Sequence, residues 1–107
     1  MLDLELMREV AVGMLGGGSV MVAGQSLPVR RTSSQRLRIL GFESNGRKYE
    51  AIEQNPEKPS RWGQLAREGH QVVQFRDVAT GRYIAVAVDG QVTEYGRERD
   101  PRRSNQR

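Results

Sequence analysis

The chain has one histidine, His70, and no cysteine. A zinc site of the usual His/Cys type is therefore excluded, because it needs several nitrogen or sulfur ligands. A Ser-His-Asp triad would have to draw on Ser60, His70 and Asp77, yet no serine sits in a G-x-S-x-G elbow. His70 follows Gly69 directly, a place where a histidine caps a helix end or lies at the surface. Glu50, Glu53 and Glu57 are the nearest thing to a carboxylate cluster. Glu50 and Glu53 differ in parity, so on a strand they face opposite sides and cannot share acid/base work. The calcium-loop pattern is missing as well. Gly13, Gly16, Gly17 and Gly18 come after a helical segment, whereas phosphate loops place glycine ahead of a helix N-terminus, where the free N–H groups point. The residues thus predict no catalytic site, no metal and no cofactor.

A different chemistry stands out between Arg30 and Lys48. Six cations, Arg30, Arg31, Arg36, Arg38, Arg47 and Lys48, oppose the single acid Glu43, so the segment is +5 while the whole chain is +4. Charge concentrated in this way attracts polyanions, with an affinity that falls as salt rises. Single-strand recognition adds aromatic rings for stacking; Phe42, Tyr49 and Tyr83 are candidates, each also suited to a core. The competing reading is an ordinary solvated face, with Glu50, Glu53 and Glu57 neutralising the cations across a sheet.

The elements that must position these residues follow from local patterns. Leu2, Leu6, Val10 and Met14 recur every four residues, which predicts a helix over 2–15 with Asp3 as cap and Gly16–Gly18 as stop. Its apolar stripe needs a cover, either the domain or a second copy. Met7, Met14 and Met21 are alternative starts. Val20–Val22 and Leu27–Val29 flank Ala23–Ser26 as a short hairpin, with Pro28 holding its second strand at an edge. Arg36–Phe42 and Lys48–Gln54 flank Asn45–Gly46, the signature of a type I′ turn. Arg36 and Arg38 then share a strand face, and Arg47 and Lys48 return beside them. Ser60 predicts an N-cap and Gly69 a stop for a helix over 61–68, fastened by Trp62 and Leu65. His70–Val78, Tyr83–Val88 and Gln91–Tyr95 read as strands, the last two joined by Asp89–Gly90. Tyr83–Val88 is apolar on both faces, which predicts a mid-sheet strand. Its Ala85 and Ala87 face leaves room for a helix, and the Trp62 helix is the expected cover.

These patterns predict one α+β domain: a strongly curved antiparallel sheet of about five to seven strands, curved enough to be barrel-like, with the 60–69 helix packed on it and an N-terminal helix. The expected divisions are 1–18 (helix and glycine linker), 19–95 (the domain) and 96–107. The last segment lacks apolar residues and carries five Arg against two acids, so it is expected to be a disordered basic tail. No apolar run reaches the ~18 residues that span a bilayer, and Asp3 and Glu5 replace the basic start of a secretory signal; a cytoplasmic location is expected. The predicted function is a small non-enzymatic module that binds a polyanion such as nucleic acid through Arg30, Arg31, Arg36, Arg38, Arg47 and Lys48. The alternative is a protein–protein or homodimerisation module using the 2–15 stripe.

Overall fold

The computed structural model describes residues 2–14 and 18–95. The expected Gly16–Gly17 stop and the 96–107 tail lie outside the described residues. Helix α1 spans Leu4–Met14. Asp3 caps it: its Oδ1 accepts from the Leu6 N–H at 3.0 Å. Strands β1 (Ser19–Val22) and β2 (Gln25–Pro28) form a hairpin of their own. Ala23 and Gly24 turn it with φ of 47° and 76°, the two positive φ values of a type I′ turn.

The main sheet is an antiparallel meander of β3 (Arg30–Arg31), β4 (Leu37–Ser44), β5 (Arg47–Glu53), β6 (Val72–Asp77), β7 (Tyr83–Val88) and β8 (Gln91–Glu94), in that order. It is open, with β3 and β8 as its two edges. Between β5 and β6 comes helix α2, Arg61–Arg67. The Ser60 side chain accepts from the Gly63 N–H at its start. At its end Gly69 takes φ 99°, the Gly69 N–H reaches the Ala66 oxygen and the His70 N–H reaches the Leu65 oxygen. Those two bonds make a Schellman motif.

One face of the sheet is buried under α1 and the β1–β2 hairpin. Leu6, Met7, Val10, Ala11 and Met14 pack with Val20, Leu27, Ile39, Phe42, Ala51, Phe75, Ala85 and Ala87 in one apolar cluster. The alanine face of β7 thus receives α1, not α2. Small residues are needed there because Met7 and Met14, both fully buried, fill the space between helix and sheet. The α1 stripe is thereby used inside the domain. Gly13 marks how tightly it fits: a Cβ there would stand 2.7 Å from Val20 Cγ1.

Helix α2 lies on the other face, where Trp62 and Leu65 line a cleft with Val86 and Val88. Trp62 meets Tyr95 edge-on, with ring centroids 6.2 Å apart. This helix is short and lies over β6 and the ends of β7 and β8 nearest Val86 and Val88, so the β3–β5 part of the outer face stays open.

Two bulges decide which side chains reach that outer face. In β4, Ile39 pairs with Ala51 and Phe42 with Tyr49, so one residue is extra; Gly41 absorbs it at φ 68°. Ile39 and Phe42 both enter the core, while Leu40 stays 53% exposed. In β7, Phe75 pairs with Ala85 but Arg76 pairs with Tyr83, so the extra residue is Ile84. Ile84 packs against the core. Tyr83 is turned to the outer face and is 51% exposed, instead of following Ala85 and Ala87 as strict alternation predicts.

Candidate anion-binding face

Residues opposite one another on paired strands share a face. One row across the outer face is Arg38, Ile52, Gln74, Val86 and Thr93. The next is Glu50, Arg76 and Tyr83. Arg30 stands opposite Arg38 across the edge strand. β3 thus pairs directly with β4 at the edge of the main sheet.

The six expected cations divide between the two sides. Arg30, Arg36, Arg38 and Lys48 belong to the outer face, with Lys48 at its far end opposite Glu43. Arg31 pairs with Leu37, on the other side, and donates to the Gln35 oxygen at 2.8 Å. Arg47, one residue before Lys48, points away as well and bonds the buried Asp77 at 2.5 Å. Arg47 and Lys48 are sequence neighbours on a strand, so they cannot share a face. Arg76 joins the outer group although it lies outside the basic segment.

At the centre of this face Glu50 holds two arginines. Its carboxylate accepts from Arg38 Nη2 at 2.9 Å and from Arg76 Nη2. The Glu50 side chain is 6% exposed, and each guanidinium side chain 35%. Two cations thus share one carboxylate. The Nε atoms of both arginines are buried and have no hydrogen-bond partner among the described residues. Taken together, Arg30, Arg36, Arg38, Lys48 and Arg76 oppose Glu43 and Glu50, leaving the face cationic.

Beside the triad runs a groove of about 380 Å³, floored by Ile52 and Gln74 and bounded by Arg36, the 58–60 loop, Tyr83 and Tyr95. Its polar groups form a directed chain. Tyr95 OH donates to Gln74 Oε1, Gln74 Nε2 donates to Gln54 Oε1 at 2.7 Å, and Gln54 Nε2 donates to the Asn55 oxygen at 3.1 Å. Arg36 is steered into place by Ser34 Oγ, which accepts from its Nε at 3.0 Å.

Two further carboxylates, Asp89 and Asp77, are held by bonds within the fold. His70 Nδ1 lies 2.6 Å from Asp89 Oδ2, and Asp89 Oδ1 accepts from the Gln71 N–H. These bonds, the histidine's first, hold the Asp89 carboxyl below the usual carboxylate range. Burial pushes the Asp77 carboxyl up, but Arg47 and the N–H groups of Thr80 and Ala79 outweigh it, so Asp77 too lies below its ordinary value. The unfolded chain therefore holds the Asp77 proton more tightly. The stability it contributes is complete above about pH 4 and is lost as the pH falls through the lower folded value. We expect Asp77→Asn to be less stable than the parent at neutral pH, yet to lose less on acidification. Urea midpoints between about pH 5 and pH 2 measure this, and parallel curves for the two chains would refute it.

Among the described residues no group of three or more His, Cys, Asp or Glu is placed to hold a metal ion, and no helix is long and apolar enough to cross a membrane. No protein-family model matches the chain, and searches of curated proteins and of solved structures found no match.

Proposed function

We propose that this chain is a small non-enzymatic binding module whose outer sheet face engages a polyanion, nucleic acid above all. The observation that carries the reading is the Arg38–Glu50–Arg76 triad: one buried carboxylate fixes two guanidiniums side by side on an open face and neutralises only one of them. A guanidinium held by a carboxylate is pre-oriented, so little side-chain entropy is lost when its outer N–H groups meet a phosphate. Arg30, Arg36 and Lys48 extend the cationic surface along the sheet, over a span that suits a chain of phosphates better than a single ion.

The test uses labelled oligonucleotides titrated over a range of salt. Replacing both Arg30 and Arg36 by alanine weakens binding and reduces the slope of log K against log salt by about 1.4, two contacts at about 0.7 each for a single strand. Arg31→Ala leaves the slope unchanged, since Arg31 occupies the other side of the sheet. No binding at about 50 mM salt, or an Arg31 effect equal to the double variant's, would end this reading.

A further inference from the structure

We infer that the polyanion is single-stranded nucleic acid and that the groove beside the triad takes one of its bases. This rests on the polyanion reading and adds to it a ligand class and a site.

Cations alone do not distinguish a single strand from a duplex. The groove does. An unpaired base is a flat, partly apolar ring with hydrogen-bonding edges, and it needs an aromatic surface, an apolar floor and a few polar groups. All three occur together here. Tyr83 supplies a half-exposed ring, Ile52 an apolar floor, and Gln54 and Gln74 supply amides. Those amides are already oriented by the bond chain from Tyr95, which leaves each Nε2 a second hydrogen for an acceptor on the base edge. The volume of about 380 Å³ is at the lower end for small-molecule sites and suits one base rather than a stacked pair. Duplex bases are paired and stacked, so they do not present a free ring to a sheet face.

The β7 bulge gives this arrangement its second support. Without the extra residue Ile84, Tyr83 would follow Ala85 to the α1 side. With it, Tyr83 stands in the same row as Arg76 and Glu50. An aromatic ring is thereby placed beside the guanidinium pair, at the spacing of one strand, so that a phosphate at Arg38 and Arg76 has its own base within reach of the groove.

The experiment compares three labelled ligands on the full chain at one salt concentration: a mixed-sequence single strand of about twelve nucleotides, the corresponding duplex, and heparin, a polyanion with no bases. The single strand is expected to bind at least about tenfold more tightly than the duplex. Tyr83→Ala is expected to lower single-strand affinity about tenfold and leave heparin affinity unchanged, while Tyr83→Phe keeps the parent's affinity for both. Tyr83 is half-exposed, and the single-strand against duplex comparison needs no variant at all. Equal binding of strand and duplex, or equal loss of strand and heparin in Tyr83→Ala, overturns the base site while leaving the polyanion reading intact. Failure of all three ligands to bind removes both.

Discussion

Glu50→Ala lowers the melting temperature by about 12–24 °C. Breaking a buried ion pair from one side costs about 3–5 kcal/mol, because the partner charge is left without compensation. Arg38 and Arg76 keep about a third of their side chains in solvent, so the lower end, about 3 kcal/mol, applies here. In a domain of this size each 1 kcal/mol moves the midpoint by about 4–8 °C. The loss has a recognisable signature. Without Glu50 two guanidiniums face the same gap, and an oxyanion from solution can take the carboxylate's place. Sulfate at constant ionic strength is therefore expected to raise the midpoint of the variant more than that of the parent, by mass action on the folded state. Thermal melts followed by circular dichroism in chloride and in sulfate read both effects. A variant that melts within a few degrees of the parent, with the same response to sulfate, would show that Glu50 is not what holds the two arginines.

The second large effect is expected at Gly63. In an isolated helix, alanine is better than glycine by about 1 kcal/mol, so Gly63→Ala looks favourable from the sequence. In the fold a Cβ at this position would stand 2.1 Å from the Lys58 backbone oxygen. That oxygen cannot yield easily, since Arg67 Nη1 donates to it at 2.9 Å and to the Pro56 oxygen at 2.5 Å. Overpacking of this kind costs about 1–3 kcal/mol. An approach of 2.1 Å to backbone calls for the upper end, about 3 kcal/mol, so the net loss is about 2 kcal/mol and the midpoint is expected to fall by about 8–16 °C. The 58–60 loop also walls the groove, so the same change is expected to loosen it and to make cleavage after Glu57 by a glutamate-specific protease faster. Higher stability of Gly63→Ala would refute the steric account.

Much of this fold was legible because it is written in short-range chemistry. Asn45–Gly46 and Asp89–Gly90 both adopt the positive φ pairs their residue types predict. Ser60 and Gly69 bracket α2 as expected, and Asp3 caps α1. Each of these depends on three or four adjacent residues. The misreadings arose where strict alternation fails. Strict alternation puts Tyr83 on the alanine face, and nothing in Tyr83–Val88 announces the bulge at Ile84 that turns it outward. Gly41 did offer a signal, a glycine inside a strand pattern, which often marks such a bulge. The cover of Ala85 and Ala87 was taken from the nearer helix, but α1, some seventy residues away in sequence, fills that face.

The candidate site was legible only in part, for a related reason. A charge count along the chain cannot separate the two faces of a sheet. Arg31 and Arg47 were counted with the group and lie on its far side, Arg47 drawn off by Asp77 thirty positions later. Arg76 was missed because it lies in a stretch of ordinary composition. Its parity with Gln74 places it on the outer face of β6, but that becomes meaningful only once Glu50 is known to stand opposite. The acid expected to neutralise the patch instead organises it.

The contacts of α1 also set an order in time. Every strand of the main sheet pairs with its neighbour in sequence, so each hairpin can close soon after it is made, at small loop entropy. The helix is different. It is made before every strand it touches, and it packs not only against the adjacent β1 but also against β4, β7 and β8, the last of which ends at Glu94. At ribosomal rates of about 5–20 residues per second, the stripe of Leu6, Met7, Val10 and Met14 waits on the order of 4–16 s for the last part of its cover. During that interval part of the helix's apolar stripe stays open to other chains.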